Sequence, residues 1–344
     1  MSTPSAPYRI AINGFGRIGQ CVLRALYEDG FRDHLQVVAI NELSDIDTIA
    51  HLTKYDSTHG RFRGQVAVEG NTMVVNGDRI EVVREPDPAN LPWGRLAVDL
   101  VLECSGAFSD RATAERHLEA GAARLLFSQP AEPDVDRTIV FGINQQALST
   151  ADRIVSCASC TTNCIVPVIQ VLDTAFGVEY GSTTTIHAAM NDQPVIDAYH
   201  HQDLRRTRSA MHNIVPVDTG LARGIERLLP HMQNRFSSVA MRVPTMNVSA
   251  IDLTVNVRES TSVVAVNRLL ADAANGALSG ILGYTDELLA SSDFNHDPHS
   301  GIVDGGQTRV TGDHMVKVLC WFDNEWGFAN RMLDVSRSWL TLKS

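Results

Sequence analysis

Positive charge is scarce in this 344-residue chain: 29 Lys and Arg stand against 40 Asp and Glu, a formal net charge of −11. That balance excludes a sequence-independent nucleic-acid binder, which needs basic surface to neutralise phosphates. The local exception, "RRTR" (205–208), reads as a solvated or inter-subunit loop rather than an RNA contact. A run fit to cross a bilayer is lacking too. The longest uncharged stretch, Ile154–Leu172, contains Ser-Cys-Ala-Ser-Cys-Thr-Thr-Asn-Cys, far too polar for hydrocarbon. The start, "MSTPSAPYRI", has neither the charged head nor the apolar block of a signal peptide. Six cysteines are few for this length, so a reducing cytoplasm and free thiols are expected. Internal repeats, low-complexity tracts and flexible linkers are absent as well. What is present, 44% hydrophobic and 20% charged residues, suits a globular protein with a substantial core, and the length favours two domains.

The first half alternates strand and helix. "YRIAING" supplies a short apolar strand, and "IGQCVLRALYEDG" sets Ile18, Val22 and Leu26 on one helical face, with Gly30 as the stop. "LQVVAIN" (35–41) is continuously apolar, as in a strand buried on both faces of a parallel sheet. Similar strands are expected at "DLVLECSG" (99–106), "RLLFSQP" (124–130) and "RTIVFGIN" (137–144). The fold class is therefore α/β, a doubly wound parallel sheet over residues 1–151. Beyond it, "GSTTTIHAAM", "SSVAMRVPT" and "NVSAIDLTVNVRES" alternate polar with apolar residues, as strands buried on one side of a mostly antiparallel sheet do. These place an α+β catalytic domain at 152–323, with a C-terminal helix over 324–344 packing back on the first domain.

"NGFGRIG" (13–19) gives Gly14-x-Gly16-x-x-Gly19 between a strand and a helix. One glycine makes the tight turn, one lets backbone approach a pyrophosphate, and one permits close helix–strand packing; this is the Rossmann dinucleotide pattern. Glu42 follows Gly19 by 23 residues, where an acid binds a ribose 2′-hydroxyl and repels a 2′-phosphate, so NAD is favoured over NADP.

The block "SCASCTTNC" (156–164) holds half the cysteines. With Ser159 as N-cap of the helix "TTNCIVPVIQVLD", Cys160 falls in the first turn, where the positive end of the dipole favours a thiolate. Cys164, one turn on, points into the interior, and Pro167 lies deep enough to kink or break the helix. His187, at the end of a strand in "TTTIHAAM", is the candidate base. A thiol, a histidine and a nicotinamide site together suit covalent aldehyde oxidation.

Along nearly its whole length the chain resembles the glyceraldehyde-3-phosphate dehydrogenase family, through "INGFGRIG", "KYDSTHGRF" (54–62), "ASCTTNC" (158–164), "MRVPTMNVS" (241–249) and "DNEWGFANR" (323–331). "HAAMNDQPVIDAYH" (187–200), "DLRRTRSA" and "DFNHDPHSGIVDG" look like the branch that oxidises D-erythrose 4-phosphate. The resemblance implies a homotetramer with Cys160 as nucleophile and His187 as base. It places Arg17, Ile18, Glu42 and Ser128 at cofactor positions and Asn324 on the nicotinamide carboxamide. Ser159, Thr161, Thr219, Gly220 and Arg242 fall at substrate and phosphate positions. Phosphorylating members usually read "HATTATQ" after the histidine, whereas this chain reads "HAAMNDQ", with Met190 and Asp192 where threonine hydroxyls hold the substrate phosphate. Weak use of glyceraldehyde 3-phosphate, and transfer of the thioester to water to give 4-phosphoerythronate for pyridoxal phosphate synthesis, are therefore expected. The rivals are a phosphorylating glyceraldehyde-3-phosphate dehydrogenase and a non-catalytic redox- or RNA-responsive protein on the same scaffold.

No metal is expected. The three cysteines lack a fourth ligand, and "DFNHDPHS" (293–300) and "YHHQD" (199–203) read as polar loops. Cys157, where the family usually has asparagine, is a small buried side chain or, in a second reading, a redox partner of Cys160.

Overall fold

A computed structural model describes residues 6–200 and 203–342. Two compact units separate, Met1–Ser159 with Phe328–Ser344, and Cys160–Gly327. The division falls inside the cysteine block, later than the 151/152 boundary read from the change in strand pattern.

In the first unit seven strands run parallel in the order 137–138, 154–156, 125–127, 100–103, 8–13, 35–41 and 78–83. Strand Leu100–Glu103 is buried at every position and Leu35–Asn41 at all but one, which is why apolar residues occupy successive rather than alternate positions in both. Two antiparallel strands, Thr72–Val75 and Val66–Glu69, extend the edge. "RTIVFGIN" forms a strand only at Arg137–Thr138. The Asn144 side chain then takes the N–H of Val140 at 2.9 Å and donates to the Thr138 carbonyl at 2.9 Å, folding the rest into a turn. Helix Arg17–Glu28 buries Val22, Leu23 and Leu26, and Gly30 follows it with φ +81°, the left-handed conformation that ends helices. The last helix, Trp326–Leu340, sets buried Trp339 against this unit, its indole N–H donating to the Ser149 carbonyl at 3.2 Å.

The second unit is built on a seven-stranded sheet, in the order 215–217, 236–242, 178–187, 249–257, 315–322, 301–311 and 282–285. Its pairings are antiparallel except 178–187 with 236–242 and 282–285 with 301–311. Strand Ser249–Val257 alternates buried and half-buried positions along most of its length, the one-sided burial its sequence implies.

Helix Cys160–Phe176 packs on this sheet and runs unbroken through Pro167, against the expected break. An interior proline costs about 3 kcal/mol. Here Ile165, Val166, Val168 and Ile169 are all fully buried, and each such side chain contributes about 1.5–3 kcal/mol. Burial wins. Among the described residues no helix is long and apolar enough to cross a membrane.

Candidate active site

The three glycines of the turn are required for three different reasons. Gly14 has φ +87°, and a Cβ there would stand 2.4 Å from the Ser105 backbone. A Cβ on Gly19 would stand 2.4 Å from the Gly14 carbonyl oxygen, so the helix start packs directly on the turn. Gly16 has nothing within 4 Å of a would-be Cβ. It faces open space at the helix N-terminus, where a pyrophosphate needs backbone access. Gly14, Glu42, Ser105 and Ser128 follow the carboxyl ends of parallel strands around the point where chain order reverses, the crevice in which such sheets bind ligands. The residues present fit a dinucleotide.

Glu42 is already tied to the turn: its Oε2 accepts the Phe15 N–H at 2.8 Å and its Oε1 the Leu43 N–H at 2.8 Å. Arg17 is placed differently from a simple phosphate ligand. Its guanidinium holds Asp56 through two contacts, 2.6 and 3.2 Å. Burial opposes ionisation of Asp56, but Arg17 and the N–H groups of His59 and Thr58 outweigh it and hold the carboxyl at about 2. Arg17 and Ile18 are the first two residues of helix Arg17–Glu28, at its N-terminal turn.

In the second unit, Cys160 opens its helix and its Sγ lies 3.8 Å from His187 Nε2. His187 Nδ1 lies 2.8 Å from the Ala188 carbonyl oxygen. A carbonyl only accepts, so Nδ1 carries the proton and Nε2 turns a lone pair to the thiol. Phe322 meets the imidazole edge-on at 6.2 Å between centroids. Burial pushes the Cys160 thiol up to about 12, opposed by the backbone N–H groups of Thr161 and Cys160 at the helix start. Burial lowers the His187 pKa, with Arg242 acting in the same direction and the bond to Ala188 opposing. Burial thus favours the neutral form of both thiol and imidazole, and Nε2 is the group positioned to take the thiol proton.

Asn324 stands just before the last helix. Its neighbour Asp323 accepts the N–H groups of Glu325 and Trp326 at 3.0 and 2.8 Å, capping that helix. The Asn324 Oδ1 accepts the Ser249 hydroxyl at 2.8 Å. Neither Asp323, in "DNEWGFANR", nor Ser249, in "MRVPTMNVS", stands out in the sequence by residue type or spacing.

Arg242 pairs with His187 in the register of two parallel strands, which sets guanidinium and imidazole side by side. Its guanidinium closes on Asp192, Nη1 to Oδ1 at 2.5 Å and Nη2 to Oδ2 at 3.1 Å, with the Met190 sulfur 3.5 Å from Nη2. Arg206, overlooked within the "RRTR" run, reaches the same carboxylate at 3.0 Å. Burial opposes ionisation of Asp192, but Arg242 and then Arg206 outweigh it and hold the carboxyl below its usual value. Thr219 and Gly220 precede helix Leu221–Leu228, with Thr219 Oγ1 accepting the Leu221 N–H at 3.2 Å. That helix and the Cys160 helix meet closely, since a Cβ on Gly224 would stand 2.8 Å from Thr162 Oγ1. Thr161 lies in the first turn of the Cys160 helix and Ser159 immediately precedes it.

The three clustered thiols face different partners. Cys157 is fully buried with its Sγ 4.0 Å from the Arg331 carbonyl oxygen, in the manner of a packed small side chain. Cys164 is buried against Cys320 and Gly301. In "DFNHDPHS", His299 Nδ1 pairs with Asp297 at 2.7 Å, the His296 N–H donates to Asp323 at 2.7 Å, and the His296 ring stacks on Trp326 at 3.6 Å. Its polar groups hold the loop. Of "YHHQD", positions 201 and 202 lie outside the described residues.

A dinucleotide crevice on one unit and a helix-borne thiol facing an imidazole on the other define an NAD-dependent oxidoreductase. Residues 8–111 match the family described as glyceraldehyde 3-phosphate dehydrogenase, NAD binding domain, and residues 159–324 match glyceraldehyde 3-phosphate dehydrogenase, C-terminal domain. The chain belongs to the glyceraldehyde 3-phosphate dehydrogenase family and is an NAD-dependent aldehyde-phosphate dehydrogenase.

Proposed function

We propose that the substrate is D-erythrose 4-phosphate, oxidised to 4-phosphoerythronate with water as the acyl acceptor. The observation that carries this reading is the closed Arg242–Asp192 pair. Arginine binds phosphate through the same planar fork that here holds a carboxylate. Inorganic phosphate must displace Asp192 to use it, and Met190 supplies no hydroxyl in compensation. Water meets no such barrier.

In this reading His187 Nε2 takes the Cys160 proton as sulfur adds to the aldehyde carbon, and the new alkoxide is protonated to a thiohemiacetal. NAD, bound at the glycine turn and Glu42, supplies the hydride acceptor. His187 removes the hydroxyl proton as the hydride leaves, giving a thioester on Cys160. Main-chain N–H groups at the start of the Cys160 helix favour negative charge on the carbonyl oxygen. His187 gives the hydroxyl proton up to solvent, then deprotonates water as it adds to the thioester; the C–S bond breaks and the imidazolium returns its proton to the Cys160 sulfur. The Asn324 amide orients the nicotinamide carboxamide, Thr219 and Gly220 receive the substrate's own phosphate, and Arg242 and Arg206 stay held by Asp192.

A cytoplasmic homotetramer that serves pyridoxal phosphate synthesis is part of the same proposal. Support for self-association comes from Val195, Ile196, Tyr199, Leu204 and Ile214, all exposed within one short segment. NADH formation from the two aldehyde phosphates, each with and without inorganic phosphate, tests the reading. Equal efficiency with glyceraldehyde 3-phosphate and strict dependence on inorganic phosphate would favour the phosphorylating alternative.

A further inference from the structure

We propose that Ser249 is a positioning residue whose single hydroxyl fixes which way the Asn324 amide faces and steadies the peptide that holds His187. The inference rests on the reading of Asn324 as the carboxamide-orienting group. Ser249 is 1% exposed, on strand Ser249–Val257, in register with Phe322 at the end of the neighbouring strand. Its Oγ accepts the Ala188 N–H at 3.1 Å and lies 2.8 Å from Asn324 Oδ1.

A hydroxyl has one proton to give. With Oγ already accepting from Ala188, that proton goes to Asn324 Oδ1. The opposite amide orientation would point an NH₂ at Oγ and leave the buried Ser249 proton without an acceptor among the described residues. Asn324 is thereby held with its oxygen on Ser249 and its NH₂ making no hydrogen bond among the described residues. A donor is what the oxygen of a carboxamide requires. The second branch runs through the Ala188 peptide. Its N–H is held by Ser249, and its carbonyl accepts from His187 Nδ1 at 2.8 Å. One buried hydroxyl thus sits between the amide that orients the cofactor ring and the base that faces the thiol.

The test uses the full chain, an aldehyde phosphate deuterated at C1, and NAD. Wild type is expected to deliver deuterium to one face of the nicotinamide. Ser249→Ala is expected to deliver it to both faces and to weaken calorimetric NAD binding by roughly tenfold, with Ser249→Thr restoring both. Ser249→Cys, close in shape but a poor donor, carries the same test if the alanine variant does not fold. A role in stability alone would leave the facial ratio unmoved, so a stereospecific Ser249→Ala or Ser249→Cys enzyme with unchanged NAD affinity overturns the proposal. Should the wild-type chain form no NADH from either aldehyde phosphate, the reading beneath it falls instead.

Discussion

Arg242 places both arms of its guanidinium on one carboxylate, Asp192, while Arg206 holds that carboxylate from a second direction. The arginine is buried and the aspartate only partly so, so the pair is shielded on one side. A phosphate competing for Arg242 must break a bidentate, charge-assisted contact.

Removing the competitor should open the site. Asp192→Ala is expected to raise the dependence of turnover on inorganic phosphate, with kcat/KM for the phosphate-linked reaction up by roughly tenfold, or about 1.4 kcal/mol. Steady-state NADH formation across a phosphate titration measures it. No change would mean that Asp192 does not control the acceptor.

The thiol and base make a second prediction. His187→Asn should lower kcat/KM by about 10²–10⁴-fold, and Cys160→Ser should abolish NADH formation while NAD binding survives. Because burial lowers the His187 pKa, the base stays neutral below the usual imidazole value of about 6.5, and the acid limb of kcat/KM should lie below it. Alkylation of Cys160 should keep accelerating well above pH 9, since its thiol is held up to about 12. A plateau in alkylation near neutral pH would show a preformed thiolate and contradict the neutral resting pair.

Two alanine substitutions in the glycine turn should separate folding from binding. Gly14→Ala meets both a left-handed φ and the Ser105 backbone, and should cost more than about 2 kcal/mol in urea unfolding. Gly16→Ala meets nothing in the protein. It should leave stability nearly unchanged yet weaken NAD binding by about tenfold.

Asp56 ties stability to acid. A carboxyl at about 2 in the folded chain, against 3.8 as a model value, contributes stability that is present above about 3.8 and lost as pH falls through about 2. The shift corresponds to about 2 kcal/mol at neutral pH. Asp56→Asn should unfold at lower urea concentration at pH 7, and the gap to wild type should narrow at pH 3. An equal gap at both pH values would mean that ionisation of Asp56 is not what stabilises the turn.

What the sequence made legible was what short spacing encodes. The glycine turn, the buried apolar strands and the start of the Cys160 helix are local patterns, and each follows from a handful of adjacent residues. "RTIVFGIN" misled because its apolar letters hide a turn imposed by one side chain, Asn144. Pro167 does not break its helix, because propensity alone omits the burial of its neighbours. Ser249 was invisible for another reason: its partners lie 61 and 75 positions away, and nothing in a lone serine announces them. Likewise the charge of Asp192 was readable from the sequence, but the arginine that holds it lies 50 positions on.

The register that pairs His187 with Arg242 has a consequence for timing. The positive neighbour weakens the base and the nearby Asp192 strengthens it. Any anion that seats on Arg242 therefore alters the proton affinity of the imidazole beside it. An anion that drew Asp192 off Arg242 would register at the imidazole, because the strength of the base would follow the charge balance around that arginine.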